Sequence, residues 1–128
     1  MLIIAVLFAG LQISNAQTDS IAEDEVYVVV EKMPEFPGGN MALRNFIAKN
    51  VEYPETARKN DIEMTIYVKF IVDKTGKVIN PSIARGGNDE LEAESLRVIN
   101  LLPDFKPGTQ SGKAVNVEYT LPISFKLN

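Results

Sequence analysis

The sequence lacks the residues on which several classes of functional site depend. Its 128 residues include no cysteine, no histidine and no tryptophan. Without cysteine the chain has no disulfide framework and no thiol chemistry. The absence of histidine removes the commonest general base and the commonest transition-metal ligand together. Enzymes without histidine exist, so the composition argues against a catalytic or transition-metal site without excluding one.

Basic residues are too few and too scattered for a nucleic-acid-binding surface. The chain carries 13 Lys and Arg against 17 Asp and Glu, which gives a net charge of −4. No basic stripe compensates for this balance, so a nucleic-acid partner is not expected. The apolar fraction of 45% and the charged fraction of 23% are typical of a globular protein. A chain of this length is expected to form one domain with a modest core.

Long hydrophobic runs are also lacking, with one short exception at the start of the chain. Residues 2–11 are apolar but too few to span a membrane, and Ser14 and Ala16 are small residues at positions −3 and −1 of a cleavage site. This pattern predicts a secretory signal peptide over residues 1–16. No Lys or Arg precedes the apolar run. The alternative is therefore a chain start further upstream, with a longer membrane helix.

The rest of the chain divides into a leader and a domain. Residues 17–32 are predicted to be a polar leader that ends in a short strand over residues 26–31. Two prolines and two glycines within residues 33–39 end any regular element there. The folded domain is therefore predicted to span residues 33–128.

The most regular pattern in the chain runs over residues 114–127. It predicts a strand with one buried and one solvated face, because apolar and mostly polar residues alternate without a slip. Burying its apolar side chains gives a gross stabilisation of about 10–20 kcal/mol, an upper estimate. The rest of the fold is expected to pack against this strand. Its apolar residues are Val115, Val117, Tyr119, Leu121, Ile123, Phe125 and Leu127.

Pro122 lies inside that strand and has no backbone N–H to donate. In an antiparallel strand the backbone groups of alternate residues point to opposite neighbours. We therefore predict that the even-numbered residues face a free edge, while the odd-numbered residues pair with the sheet. A long free edge invites the addition of another strand. The alternative is an ordinary edge strand that its proline protects against such pairing.

Two further alternating runs predict a β-hairpin. Residues 64–73 and 77–85 form its strands, and residues 73–76 form a tight turn in which Gly76 supplies a positive φ. Three segments with helical spacing accompany the hairpin. They begin near Asn40, after Tyr53-Pro54, and at Asp89, where Glu92 completes a start that resembles a capping box.

The resulting order of elements, β, α, α, β, β, α, β, predicts an α+β fold. We expect the helices to pack on one face of a three-stranded antiparallel sheet. If the last helix crosses over the first hairpin strand, the sheet order is hairpin return, hairpin start, last strand. The last strand then lies at the edge of the sheet, as Pro122 indicates.

No segment contains a convincing catalytic or ligand motif. Residues 108–113 resemble a phosphate-binding loop, but three residues rather than four separate the glycines and a strand follows. The acidic residues from Asp89 to Glu94 lack calcium-loop spacing, and a solvated helix start explains them. No histidine can activate a serine. We therefore expect no enzyme activity, no cofactor and no metal.

Residues from about 33 to 128 resemble the C-terminal domain of TonB, the periplasmic energy transducer of Gram-negative bacteria. The resemblance implies two helices on a three-stranded antiparallel sheet. Glu63 stands where the family usually has glycine, so the local turn is expected to differ. The matching motifs are residues 33–39, Tyr53-Pro54 with Ala57, residues 70–73 with Gly76 and Val78, Leu91-Glu92 with Leu96-Arg97, residues 105–108, and residues 121–125.

The resemblance also implies a partner and a binding site. In the family, the last strand accepts the TonB box of an outer-membrane TonB-dependent receptor by strand addition, in energy-coupled transport of nutrients such as siderophores or glycans. Main-chain bonds then supply affinity and side chains supply selectivity. The residues implied to bind are Val115, Asn116, Val117, Glu118, Tyr119, Thr120 and Leu121, with Asn50, Val51, Glu52, Tyr53 and Pro54 near the receptor plug.

Parts of a complete transducer are not recognisable in this sequence. Full transducers have a cytoplasmic start, a membrane helix that meets ExbB and ExbD, and a Pro-rich spacer. We therefore expect a periplasmic domain without ExbB or ExbD contacts, or an inner-membrane-anchored one if the start lies upstream. The alternative function is a self-associating structural or adaptor module that uses the same edge to form a homodimer.

Overall fold

A computed structural model of the chain describes residues 25–128, so the predicted signal peptide and the first half of the predicted leader lie outside the described residues. Within the described part the chain forms five strands and three helices. In chain order they are β1 (Val26–Tyr27), α1 (Gly39–Asn50), α2 (Glu55–Lys59), β2 (Met64–Val72), β3 (Val78–Arg85), α3 (Asp89–Ile99), β4 (Gly108–Gln110) and β5 (Lys113–Phe125).

The sheet contains the predicted antiparallel strands but is larger than predicted. β2 pairs antiparallel with β3 on one side and with β5 on the other, which confirms the hairpin and the predicted strand order. β1 pairs parallel to β5, and β4 pairs antiparallel with the start of β5. The prediction of a strictly three-stranded antiparallel sheet was therefore wrong, because two short strands complete a mixed sheet around it.

β1 is shorter than the predicted strand over residues 26–31. The chain bends at Val28 and Val29, which are 63% and 80% exposed, and then turns Val30 into the protein, where it is buried. Residues further along pair elsewhere, since Lys32 exchanges backbone hydrogen bonds with Thr109 of β4. A run of β-branched residues thus forms only two paired positions, because tertiary contacts redirect the backbone.

β4 forms where the sequence indicated a polar loop. Ser111 and Gly112 both have positive φ, 53° and 78°, and they connect Gln110 to Lys113 of β5. A two-residue turn with both residues in the left-handed region matches the twist of a β-hairpin. The segment that resembled a phosphate-binding loop is therefore a hairpin.

The cap of α3 lies one residue earlier than the sequence indicated, and the helix begins at Asp89. Asn88 is the N-cap, and its side-chain oxygen accepts a hydrogen bond from the Leu91 N–H at 3.0 Å. Glu92 reaches back and accepts from the Gly87 N–H at 2.8 Å. Asn88 has the extended backbone that a cap requires, which leaves Asp89 as the first helical residue.

The core lies between one face of the sheet and the helices. It contains the even-numbered residues of β2 and the odd-numbered residues of β5, as the alternation predicted. Leu43 of α1, Ala57 of α2, and Leu91 and Ile99 of α3 join the same cluster. No helix within residues 25–128 has the length and apolar character that a membrane crossing requires.

The turn between β2 and β3 is held by Asp73, and here the prediction is confirmed. One carboxylate oxygen of Asp73 accepts from the backbone N–H of Thr75 and of Lys77, at 2.8 and 3.0 Å. Desolvation alone would raise the pKa of Asp73, but these hydrogen bonds and that of the Thr75 hydroxyl outweigh it and lower the pKa. Gly76 has φ 95°, and its carbonyl accepts from the Phe105 N–H.

Candidate partner-binding edge

One flank of β5 is fully occupied by β2. Nine consecutive residues of β2 pair with β5, from Met64 opposite Phe125 to Val72 opposite Val117, and no bulge interrupts the register. The odd-numbered side chains of β5 from Val117 onward face the interior, and the even-numbered ones from Thr120 onward are exposed. From Val117 to Phe125, β5 is therefore a regular strand that β2 holds along one flank.

The other flank of β5 is only partly covered. β1 pairs with Asn116 and Val117 on this flank. Beyond Val117, no other strand in the described part of the chain pairs with this outer flank. We call residues 118–125 the open segment of β5. Their outward backbone groups are available to a further strand.

Pro122 lies in the middle of the open segment. It pairs with Tyr67 inside the unbroken register with β2. A proline cannot donate to a ladder, so we infer that its nitrogen points to the outer flank, where its missing hydrogen breaks no bond with β2. Because alternate residues of an antiparallel strand point the same way, the N–H groups of Glu118, Thr120 and Ser124 also point outward.

The structure divides the segment that the family resemblance implied, residues 115–121. Val115 pairs with Gly108, while Asn116 and Val117 pair with β1, so these three positions are covered by the chain itself. The remaining four belong to the open segment, and they are Glu118, Tyr119, Thr120 and Leu121. The open segment continues past Leu121 to Phe125, which the resemblance did not indicate.

Asn116 connects three parts of the covered region. Its side-chain oxygen accepts from the Lys74 N–H at 2.9 Å, and its side-chain nitrogen donates to the Glu25 carbonyl at 3.3 Å. These bonds tie the β2–β3 turn and the start of β1 to β5. Asn116 therefore has a structural role beside the open segment.

A groove runs between α1 and the open segment, and we call it the helix groove. It has a volume of about 400 Å³ and is lined mainly by apolar surface. The helix contributes two rows of residues, each with a spacing of four, and β5 contributes the other wall. The lining residues are Asn40, Leu43, Arg44, Ile47, Ala48 and Val51 from the helix side, and Tyr119, Leu121, Pro122 and Ser124 from β5.

A second depression lies at the start of the open segment, where β1 leaves the sheet. It has a volume of about 470 Å³ and is formed by Val28, Met33 and Pro34 together with residues 118–122 of β5. Val28 and Met33 are exposed apolar residues. The open segment is therefore bordered by apolar surface at its start as well as along α1.

The second predicted group, residues 50–54, follows the end of α1. Of these residues Val51 lines the helix groove beside Pro122 and Ser124. Glu52, Tyr53 and Pro54 line a different depression against α3. The structure thus brings Val51 to the open segment and directs the following residues away from the helix groove.

Glu94 of α3 fixes this connection. Its carboxylate accepts from the Glu52 N–H at 2.6 Å and from the Arg97 guanidinium at 2.7 and 2.8 Å, while Arg97 also donates to the Asn50 carbonyl at 2.8 Å. Desolvation alone would raise the pKa of Glu94, but the hydrogen bonds of Arg97 and Glu52 outweigh it and lower the pKa. The Glu94 carboxylate is therefore stabilised in its ionised form, and in that form it holds the C-terminal end of α1 in place.

Tyr53 has a structural role in the core. Its ring packs edge-to-face against Phe125 with the ring centres 5.6 Å apart, and its hydroxyl donates to the Ile62 carbonyl. Burial, with contributions from Glu63 and Asp61, raises the pKa of Tyr53. The last residue of the open segment is thus held by an aromatic contact with the predicted Tyr53-Pro54 motif.

The site is made of backbone, apolar side chains and a few charges. Within residues 25–128 no three acidic side chains come together in a group that would hold a metal ion. The chemistry that this arrangement supports is non-covalent: hydrogen bonding along a strand edge, and apolar contact with side chains of an added segment.

Comparison with known protein families identifies the domain. The family model described as Gram-negative bacterial TonB protein C-terminal matches residues 49–127, more than half of the chain. The chain belongs to this family. Membership confirms the resemblance noted from the sequence, and it confirms that the domain is not an enzyme, because this is a non-catalytic, energy-transducing family. Members of the family act on TonB-dependent outer-membrane receptors and are typically periplasmic.

Two solved structures of a domain from Helicobacter pylori are similar to this chain. The solution structure of its TonB C-terminal domain, residues 179–285, matches with a TM-score of 0.55 and 22% identity, covering 69% of this chain and 79% of that one. A shorter form, residues 194–285, matches with a TM-score of 0.48 and 21% identity, covering 67% and 90%. The first match shows a shared fold. No curated protein sequence was found to be similar to this chain.

Proposed function

We propose that this domain binds an extended segment of a TonB-dependent outer-membrane receptor, the TonB box, by strand addition to the open segment of β5. The setting is the periplasm, and the process is energy-coupled uptake of a nutrient such as a siderophore or a glycan. The observation that carries the proposal is the contrast within β5: a continuous ladder on the β2 flank, and no strand partner for residues 118–125 on the other flank within the described chain.

The proposal moves the binding site along β5 relative to the expectation from the sequence. Glu118 to Leu121 remain in it, and the open segment extends it toward Phe125. Val115, Asn116 and Val117 become part of its support, because Val115 already pairs with β4 and the other two already pair with β1. Of the residues near Tyr53-Pro54, Val51 borders the added strand, while Asn50 and Glu52 hold Val51 in place through Arg97 and Glu94.

The physical basis is the pairing of unsatisfied backbone groups. An added strand would exchange main-chain hydrogen bonds with the outward groups of the open segment, each with a net contribution of about 0.5–1.5 kcal/mol. It would also cover apolar surface of the helix groove and of the depression around Val28 and Met33. Such an interface needs no change in the fold, since β2 already holds β5 in an extended conformation.

A titration followed by nuclear magnetic resonance tests this proposal. Isotope-labelled full chain is mixed with a synthetic peptide that contains the TonB box of a receptor from the same organism. The expected result is a set of amide shifts concentrated in residues 118–125, with smaller shifts in α1. Shifts confined to β3 or to the far end of α3, or no shifts at saturating peptide, would contradict the proposal.

Self-association is the competing use of the same edge. Two copies could pair their open segments antiparallel, because an unprotected edge accepts any strand. Light scattering across a concentration series separates the two uses. A monomer that persists at high concentration and binds the peptide supports the receptor-binding proposal. A concentration-dependent dimer that the peptide does not dissociate would replace it.

A further inference from the structure

We propose that α1 recognises the side chains of the bound segment. The helix groove selects an extended segment with aliphatic side chains at alternate positions. At one of these positions the segment carries a carboxylate that pairs with Arg44. This inference rests on the proposed function and deepens it. The outward backbone of the open segment offers hydrogen bonds that any sequence except proline can make. Discrimination between segments must therefore come from another wall of the site.

The wall that α1 provides has the right length and spacing for this role. Leu43, Ile47 and Val51 form one row of residues four apart, and the row Asn40, Arg44, Ala48 lies beside it. With a rise of about 1.5 Å per residue, each row extends about 12 Å along the helix. A strand advances about 3.3 Å per residue, so side chains on one face recur every 6.6 Å or so. The helix groove therefore faces about two or three alternate side chains of an added strand.

The chemistry of the groove selects aliphatic side chains for most of these positions. Leu43 is 4% exposed and forms the floor with Leu121, while Ile47 and Val51 form the helix side. Ala48 is exposed and small, so it leaves space at the rim where a longer residue would project into the groove. A volume of about 400 Å³ lies in the ordinary range for sites that enclose side chains or small ligands, about 300–1,000 Å³.

Arg44 gives the groove its charge. It is the one charged residue among those that line the groove in the described structure, and it is exposed. Among residues 25–128 it makes no ion pair and no side-chain hydrogen bond. Glu118, the acid on the open segment, lines the second depression and not this groove. A cation with no local counter-ion, in a chain of net charge −4, favours a carboxylate on the partner.

Selection from a library of random octapeptides tests the charge preference. The full-length wild-type chain is expected to enrich sequences that alternate aliphatic and variable residues. At one of the otherwise aliphatic positions, these sequences should carry Asp or Glu. The Arg44→Glu variant is expected to replace the acid at that position by Lys or Arg. Lys49→Glu is the matched control, because Lys49 is an exposed cation of the same helix that does not line the groove. It should enrich the same peptides as the wild type.

Affinities of one enriched peptide and its acid-to-lysine counterpart make the result quantitative. We expect the wild type to prefer the acidic peptide about fivefold, in line with an exposed ion pair, and Arg44→Glu to reverse the preference. An acid preference that survives in Arg44→Glu, or that Lys49→Glu abolishes equally, would overturn the inference. If the peptides still shift the amides of residues 118–125 in that case, the proposed strand addition holds and only the role of Arg44 is rejected. Absence of any peptide binding at the open segment would reject the proposed function itself.

Ala48 tests the size preference with a second matched pair. Ala48→Leu narrows the groove, so it should lower affinity for enriched peptides with large aliphatic residues about tenfold and affect alanine-containing versions little. Asn45→Leu adds the same side chain to an exposed position of α1 outside the groove. It should leave both affinities unchanged. If Ala48→Leu lowered the affinity equally for peptides with large aliphatic residues and for their alanine-containing versions, α1 would not be recognising side-chain size.

Discussion

The strands on the two sides of β2, β3 and β5, differ in regularity. The register between β2 and β3 shifts twice, between Tyr67 and Val68 and between Lys69 and Ile71. Asn80 has φ 54° and precedes Pro81 at one of these irregularities. A bulge, a left-handed residue and a proline in one short strand make a poor template for another strand. The β3 edge is protected by its own sequence.

The β5 edge has a proline too, but the consequence differs. The register through Pro122 is unbroken, so the proline removes only one outward donor. β1 covers this edge at Asn116 and Val117, and residues 118–125 lie beside an apolar groove. A proline alone therefore does not decide whether an edge is closed to a further strand. The deciding factors are the position of the proline relative to the hydrogen-bond ladder and the elements that lie beside it.

The largest expected effect concerns the turns that lead into the two edge strands. Each contains a glycine with positive φ, Gly76 before β3 and Gly112 before β5. A side chain at Gly76 would overlap the carbonyl oxygen of Phe105, whereas one at Gly112 would meet nothing within 4 Å. Gly76→Ala should therefore destabilise the domain by about 3 kcal/mol or more, and Gly112→Ala by about 1 kcal/mol of backbone strain alone.

Chemical denaturation of the two variants checks this difference in the free energy of unfolding. Equal losses for Gly76→Ala and Gly112→Ala would contradict the described packing of Phe105 on the turn.

The second prediction removes one outward donor from the open segment. Thr120→Pro should lower the affinity for a TonB-box peptide about tenfold or more, because it deletes the N–H at the middle of the added ladder. Thr120→Val is the matched control, since it keeps the N–H and the β-branched shape. Calorimetric titration measures both. Retained affinity in Thr120→Pro, with the fold intact by circular dichroism, would place the peptide elsewhere.

The third prediction restores a donor. Pro122→Ala should give the open segment an uninterrupted set of outward N–H groups. We expect peptide affinity to rise a few-fold, for a net gain of about 1 kcal/mol or less, and self-association to appear at high protein concentration. Sedimentation and titration with the same peptide report the two effects. A gain in stability with no change in peptide affinity would instead mean that the nitrogen of Pro122 faces β2, where the new N–H would add a bond to that ladder.

The fourth prediction concerns the support of the helix wall by Glu94. Its pKa is lowered in the folded state, so its stabilising contribution is present above the ordinary value of 4.5 and is lost as the pH falls through the lowered folded value. Glu94→Gln should cost about 1 kcal/mol at neutral pH, and the difference from wild type should narrow in acid. Glu90→Gln, an exposed acid on the same helix, serves as the control.

Denaturation curves at neutral and acidic pH measure this cost. A difference between wild type and Glu94→Gln that stays constant with pH would show that the ionised carboxylate does not hold residues 50–52.

The long elements of the fold were predictable because their patterns are strong. The alternation in β2 and β5, the turn at Asp73 and the order of β3, β2 and β5 all follow from local sequence and from simple topology. Ser111-Gly112 carried a signal for the β4–β5 turn that the polar composition obscured. Asn88 likewise offered a better cap than Asp89.

The binding edge was only partly predictable, for a physical reason. Pro122 indicated an edge, but the coverage of Val115, Asn116 and Val117 depends on β1 and β4, whose sequences are too short to carry a periodic signal. The helix groove depends on how α1 packs across β5, which no local pattern encodes. Arg44 and Ala48 therefore became candidates only when the tertiary structure placed them beside the open segment.

Amide hydrogen exchange along β5, in the free chain and with bound peptide, tests the central claim most directly. In the free protein we expect slow exchange at Tyr119, Leu121 and Ile123, which face β2, and fast exchange at Thr120 and Ser124, which face outward beyond the end of β1. Peptide binding should slow the second set. Uniformly slow exchange over residues 118–125 in the free chain, or fast exchange at Thr120 and Ser124 in the saturated complex, would contradict the account.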